Sequence, residues 1–295
     1  MNAQNRKLVI SLVLNLFITV AQFTAGIISG SLSLLSDALH NFSDAVSLLI
    51  TYIACRLTLL PYSEAKTFGW KRAEIIAALF NSVILIAISL NLIYTAVGRL
   101  MEEKIRVVDP SYVIEFAALS IVINAVCVLL LKKESEENIN IHSSYLHLLS
   151  DMITSLAVLG GGIAIYFYRV YWIDSLLSLL ISFYIIYLAI KLLFSVLRVI
   201  MHFTPSDIDL QSLRIDVCDI PEVENIHHIH IWQLNDREIH FRAHIDFRED
   251  IRLSRAGEIT GHLSSMLKKN YNLSHIELQP EYGVDDDKSE IIDER

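Results

Sequence analysis

Two stretches of the chain read L-H-x-x-S-D: Leu39-His40-Asn41-Phe42-Ser43-Asp44 and Leu146-His147-Leu148-Leu149-Ser150-Asp151. In each, an imidazole and a carboxylate stand four residues apart, which on a helix places both on one face about one turn from each other. Two such helices side by side offer two imidazoles and two carboxylates. Both group types ligate zinc, and four of them suit its tetrahedral coordination. A closed set of four protein ligands leaves no position for water, so it favours carriage of a metal over catalysis by one. Soft sulfur ligands would point to copper and an all-oxygen set to manganese or magnesium; here zinc comes first, with cadmium, cobalt and iron(II) compatible. Both copies lie in apolar stretches, where an ionisable group is costly and faces a partner or a wet cavity. A lone His there reads as an interhelical hydrogen-bonding group, and the matched Asp and the second copy are what shift the reading to metal.

The elements that must hold these residues are apolar helices. The 295-residue chain is 53% hydrophobic, its mean hydropathy is +0.46, and six segments reach the roughly 20 residues that cross a bilayer. They run over 7–28, 32–55, 73–97, 110–131, 143–167 and 173–199, with His40 and Asp44 on the second and His147 and Asp151 on the fifth. The first leads straight on into further spans, unlike a cleaved signal peptide. With the N-terminus in the cytoplasm, Arg6, Lys7, Arg56, Lys66, Lys71, Arg72, Lys132, Lys133, Lys191 and Arg198 fall on that side. Arg99, Lys104, Arg106 and Arg169 fall on the other, as the positive-inside rule prefers. An even number of spans returns the C-terminus to the cytoplasm.

Charge marks the boundary of a second part. Residues 203–295 carry 20 of the 33 acidic but only 10 of the 24 basic side chains and have no long apolar run. The expected organisation is a six-helix transmembrane domain over 1–202, a soluble domain over 203–280 and an acidic tail over 281–295. The closing run from Asp285 reads as solvated and disordered. In the soluble part, 206–217 and 253–270 have helical periodicity, while 223–234, 238–247 and 274–278 alternate like strands. That α-β-β-α-β order suits a small α+β ferredoxin-like sheet with its helices on one face. Eight of eleven histidines lie from His202 onward. Strand parity puts His228 and His230 on one face and His227 on the other, and it puts His240 with His244.

Other polar residues leave alternatives open. Asp37 lies on the same helical stripe as His40 and Asp44, either as a supporting partner of the site or as a group at the helix start. Asn81, Asn91 and Asn124 read as interhelical hydrogen-bonding groups. Gly160-Gly161-Gly162 suits either helix bending or close packing. Cys55, Cys127 and Cys218 have no C-x-x-C spacing and read as small apolar filler in a reducing setting.

The run 31–40 from Ser31 to His40, continued to Asp44, resembles the signature of the cation diffusion facilitator family. Phe68-Gly69-Trp70-Lys71-Arg72-Ala73-Glu74 and the stretch from His147 to Asp151 resemble it too. So does the C-terminal part, in His227-His228-Ile229-His230-Ile231-Trp232, His244 and His275-Ile276-Glu277-Leu278-Gln279. This resemblance implies a secondary transporter, a homodimer that exports divalent metal in exchange for protons. It also implies a cytoplasmic ligand set of His227, His244 and Glu277, to which His275 is added as a fourth because it shares Glu277's strand face. His230 and Trp232 read as core or interface. The chain departs from relatives that carry a long His-rich loop, since 132–141 is short. It also has Ser63, Lys66 and Trp70 where others carry ligands, so no metal site is expected there.

Histidine titrates near pH 6.5, so proton and metal compete for His40 and His147. Metal at the cytoplasmic domain would draw two copies together and activate transport. The reading includes metal ions, protons, a second copy and the bilayer as partners, with zinc as cargo and regulator. It includes no prosthetic group, no enzymatic activity and no nucleic acid. A compact chain without the His-rich loop suggests a bacterial plasma (inner) membrane. The rival reading is a membrane sensor that binds metal without moving it.

Overall fold

The computed structural model describes residues 3–58, 63–102, 107–135, 139–235, 238–285 and 288–289. Within its helices, the side chains of 3–9, 12, 44, 47–52, 54–56, 58, 131, 133–135, 139–144, 146 and 147 lie outside that description. The chain divides into two units, Met1–Ile53 with Ala77–Leu193, and Ala54–Ile76 with Phe194–Arg295. Composition alone set the boundary at 202.

Six long helices come first: α1 (Ala3–Ser29), α2 (Leu32–Thr58), α3 (Ala73–Met101), α4 (Pro110–Ser135), α5 (Ile139–Tyr168) and α6 (Trp172–Ile200). Among the described residues four stretches have the length and apolarity to cross a membrane: Ala73–Met101, Pro110–Leu130, Leu148–Tyr168 and Trp172–Ile200. Val13–Ser29 is a shorter apolar helix. The first unit is apolar outside and polar inside. Phe17, Phe80, Leu129, Ile153 and Phe167 are exposed, while Gln22, Asp37, Asn41, Asn124, Asp151 and Asp174 are buried. The buried polar groups make contacts between helices, alongside the close packing of the buried apolar residues.

Two such contacts fix the start of α2. Only Gly30 and Ser31 separate it from α1, and Gly30 has a φ of +69°, which glycine adopts without steric cost. Asp174 of α6 then accepts hydrogen bonds from the Ser31 hydroxyl (2.6 Å), the Leu32 amide (2.7 Å), and the amide (3.2 Å) and hydroxyl (2.6 Å) of Ser33. It therefore satisfies first-turn amides that a helix cannot pair internally. Arg99 of α3 donates to the Gly30 carbonyl at 2.6 Å and stands 3.9 Å from Asp174. The glycine run serves packing: α5 continues through it, and Gly162 meets Val113 and Ile114 of α4 while Gly161 meets Leu177 and Ile173 of α6.

The second unit contains α7 (Leu210–Cys218), β1 (Val223–Gln233), β2 (Ile239–Phe247), α8 (Leu253–Tyr271) and β3 (His275–Glu281). The sheet runs β1-β2-β3, antiparallel in the first pair and parallel in the second. Leu213 and Val217 of α7 and Ile259, Leu263 and Leu267 of α8 share one core with Ile226, Ile231, Phe241, Ala243 and Ile245. Both helices therefore cover one face of the sheet, as the alternation of the strands requires. Strand β3 runs three residues beyond the expected end at 278. The acidic tail also differs from the expectation of a free segment: the His228 amide donates to Ser289 O (3.3 Å) and Asn225 Nδ2 to Lys288 O (3.2 Å). Residues 286–287 and 290–295 lie outside the described residues.

Candidate metal sites

The geometry of α2 and α5 brings a member of each sequence copy together. His40 and Asp151 are both buried, and His40 Nε2 stands 3.6 Å from Asp151 Oδ1. The pair is crossed, with the imidazole of the first copy beside the carboxylate of the second. The side chains of Asp44 and His147 lie outside the described residues; their backbones continue α2 and α5 one turn from His40 and Asp151. Tyr184 of α6 approaches His40 edge-on, with ring centroids 6.3 Å apart.

One turn before His40, the fully buried Asp37 joins three helices. Its carboxylate accepts from Gln22 Nε2 of α1 (2.7 Å) and from Thr154 (3.0 Å) and Ser155 (2.9 Å) of α5, which follow Asp151 by three and four residues. Asn41 in turn donates to Gln22 at 3.2 Å. Asp37 thus ties the turn that carries His40 to the turn that carries Asp151, and a buried carboxylate with three donors is well satisfied. Of the three asparagines, Asn81 and Asn124 are buried and Asn91 is exposed. Among the described residues, neither polar atom of Asn124 has a hydrogen-bond partner.

A second cluster lies on the face of the sheet away from the helices. His227, His244 and Glu281 have ligand atoms within 4.8 Å of one another, which meets the spacing one ion requires. His244 Nδ1 is 2.8 Å from Glu281 Oε1, His227 Nε2 is 3.5 Å from Glu281 Oε2, and His227 Nδ1 is 3.0 Å from Asp246 Oδ2. Asp246 stands at Nδ1 of His227, and Nε2 is turned toward Glu281. Burial holds the His244 imidazole below its ordinary value; Glu281 opposes this, and His228, His227 and Arg242 add to it. The imidazole is therefore neutral at neutral pH, the form that ligates.

A β-bulge builds this cluster. Along β1, His227 pairs with His244 but His230 pairs with Arg242, so three steps on one strand match two on the other. His228 is the extra residue and adopts φ +52°, a left-handed conformation costly for a side chain with a Cβ. Strand parity holds for His228 and His230, whose ring centroids are 4.9 Å apart, but not for His227, which the bulge brings to the same face, where His228 stacks on His244 with centroids 4.7 Å apart. His275 and Glu277 lie apart from this cluster. The two approach each other at 3.2 Å, and at 58% and 61% exposure they form a separate surface pair. The parallel register sets Glu277 opposite Arg242 and Glu281 opposite Asp246, so Glu281 is the carboxylate beside the two histidines. The expected strand stops at 278, short of Glu281, whereas the edge strand continues through Pro280. The alternation His275, Glu277, Gln279, Glu281 was the signal available.

In the 54–76 segment, Ser63 bridges Lys66, and the Lys66 ammonium sits 4.0 Å from the centre of the Trp70 ring. Cys127 is buried and Cys218 half-buried, both as free thiols; Cys55 lies outside the described side chains.

Two family profiles match the chain, one described as the cation efflux transmembrane domain over residues 8–201, the other as the cation efflux protein cytoplasmic domain over 205–282. Among curated proteins, the metal cation efflux system protein CzcD of Cupriavidus metallidurans is 29% identical over 93% of this chain and 85% of its own. The zinc transporter ZitB of Pectobacterium atrosepticum is 31% identical over 97% and 88%. A Bacillus velezensis protein named cadmium, cobalt and zinc/H(+)-K(+) antiporter is 28% identical over 98% and 92%.

Proposed function

The chain belongs to the cation efflux family, a family of metal cation transporters, and from that premise we propose that it exports divalent metal from the cytoplasm in exchange for protons. Zinc is the first substrate, with cadmium, cobalt and iron(II) as further cargo. The observation that carries this reading is the buried approach of His40 and Asp151 from α2 and α5, the two elements that hold the repeated motif. His40, Asp44, His147 and Asp151 form one transport site. All six long helices cross a bacterial plasma membrane, with both termini in the cytoplasm.

The exchange follows from the chemistry of the four side chains. An imidazole must lose its proton to ligate, so metal arriving from the cytoplasm releases protons, and protons arriving from the other side compete the metal off. Asp37 keeps the His40 and Asp151 turns aligned through both states. The cytoplasmic cluster of His227, His244 and Glu281 regulates transport: metal there favours association of two copies and biases the helices toward transport.

The test is metal uptake by proteoliposomes under an imposed pH gradient. Wild-type protein should accumulate zinc in proportion to the gradient, and Asp151→Ala should lower the rate to below about a tenth. Uptake that survives both His40→Ala and Asp151→Ala would overturn the assigned site. Binding without any flux would identify a sensor instead.

A further inference from the structure

The described end of the chain places a lysine at the cytoplasmic cluster. Lys288 Nζ lies 2.8 Å from Asp246 Oδ1 and 3.7 Å from Glu281 Oε2. Those carboxylates also face the histidines: Asp246 Oδ2 meets His227 Nδ1, and Glu281 meets His227 Nε2 and His244 Nδ1. Two carboxylates converge on one spot beside the two imidazoles, and the ammonium offsets part of their charge. The backbone on either side holds it there, through Asn225 Nδ2 to Lys288 O and the His228 amide to Ser289 O. Both anchors come from β1 beside His227, and His228 is the bulge residue itself.

We propose that Lys288 is a built-in competitor for the cation that the cluster takes up. The proposal rests on the reading of His227, His244 and Glu281 as a regulatory metal site. An ion bonded to Glu281 would stand a few ångströms from the ammonium. Like charges at that separation in a partly buried site repel by more than a half-exposed ion pair is worth. Metal and Lys288 therefore exclude each other. Loading the cluster expels the side chain, leaves Asp246 beside His227, and frees the chain end from β1. Unloading restores the ion pair. The lysine sets the metal concentration at which the domain responds, and the released segment is the first structural consequence of loading.

The test uses the full chain in detergent, with Asp44→Ala and Asp151→Ala in every sample to remove metal binding by the transport site. Zinc affinity is measured by competition with a chelating dye, and cleavage after Lys288 by a lysine-specific serine protease is followed with and without zinc. Lys288→Gln should raise zinc affinity by about fivefold to tenfold, the scale of a partly buried ion pair. In the chain that keeps Lys288, saturating zinc should speed cleavage at that residue by about fivefold or more. Unchanged affinity with unchanged cleavage overturns the role of Lys288 while the metal site stands. Weaker binding in Lys288→Gln, or slower cleavage with zinc, overturns it too, because the chain end would then support the bound ion. If zinc binds no better than in a chain that also carries His244→Ala, the regulatory site fails first and the competition falls with it.

Discussion

The two candidate metal sites are made by opposite means. The proposed transport site takes its residues from two helices at a spacing of four, repeated, so each half is complete within one turn of chain. The cytoplasmic cluster takes one residue from each of three strands and depends on an antiparallel register, a parallel register and a bulge. Local spacing writes the first into the sequence, whereas the second exists only after the sheet has formed. The surroundings are reversed as well. The first sits among apolar helices whose polar groups tie them together, and the second on the face of a sheet whose core residues point the other way.

The largest expected effect tests whether the helical halves act as one site. Asp151→Ala should lower metal flux by about 100-fold and Asp37→Asn by about 10-fold, since the first removes a ligand and the second only its support. Equal effects would break the distinction between ligand and support. Asp174→Ala probes the frame around α2. It leaves the Leu32 and Ser33 amides and two hydroxyls without their acceptor, at a cost of about 2–4 kcal/mol, read as a lower unfolding midpoint in detergent. On the sheet side, Glu281→Gln should weaken zinc binding at the cytoplasmic cluster by about tenfold, while Glu277→Gln changes it by less than about twofold. The reverse order would return the carboxylate role to the residue that the family resemblance favours.

The smallest effect is a pH dependence confined to the sheet. Burial is the main cause that holds both His240 and His244 below the ordinary imidazole value near 6.5, so the unfolded chain binds more protons than the folded one. The stability these neutral imidazoles contribute is present above about pH 6.5 and is lost as pH falls toward their lower folded values. Metal-free protein should show its cytoplasmic unfolding midpoint drop by a few degrees over that window, and Gln at both positions should flatten the drop.

The contrast also explains what could be read from sequence. The helices follow directly from apolar run length, and β1, β2 and α8 from periodicity, because each is a local property. The His40–Asp151 approach was readable because a repeated four-residue spacing needs only two helices to meet. Glu281 was not, because its neighbours are chosen by strand pairing that no local pattern records, and the matching position of Glu277 drew attention four residues upstream. His227 went to the wrong face because an alternation count assumes a regular ladder. Lys288 went unnoticed for a similar reason: a charged chain end looks solvated until the carboxylates it faces have been assembled.

The bulge at His228 has a consequence for how this domain could change over time. With His228 left out of the count, Ile226, His227, Ile229, His230, Ile231 and Trp232 alternate without fault between the core and the open face. From Ile226 on, the strand therefore reads as a regular one carrying one inserted residue; a second register shift, between Val223 and Asn225, lies before it. Deleting His228 would keep the side chains from Ile226 to Trp232 on their present faces, while removing the ring that stacks on His244 and the amide that holds Ser289. The core-facing pattern and the bulge laid on it therefore lie one codon apart, so the bulge could be lost without moving the core residues from Ile226 to Ile231 off their face.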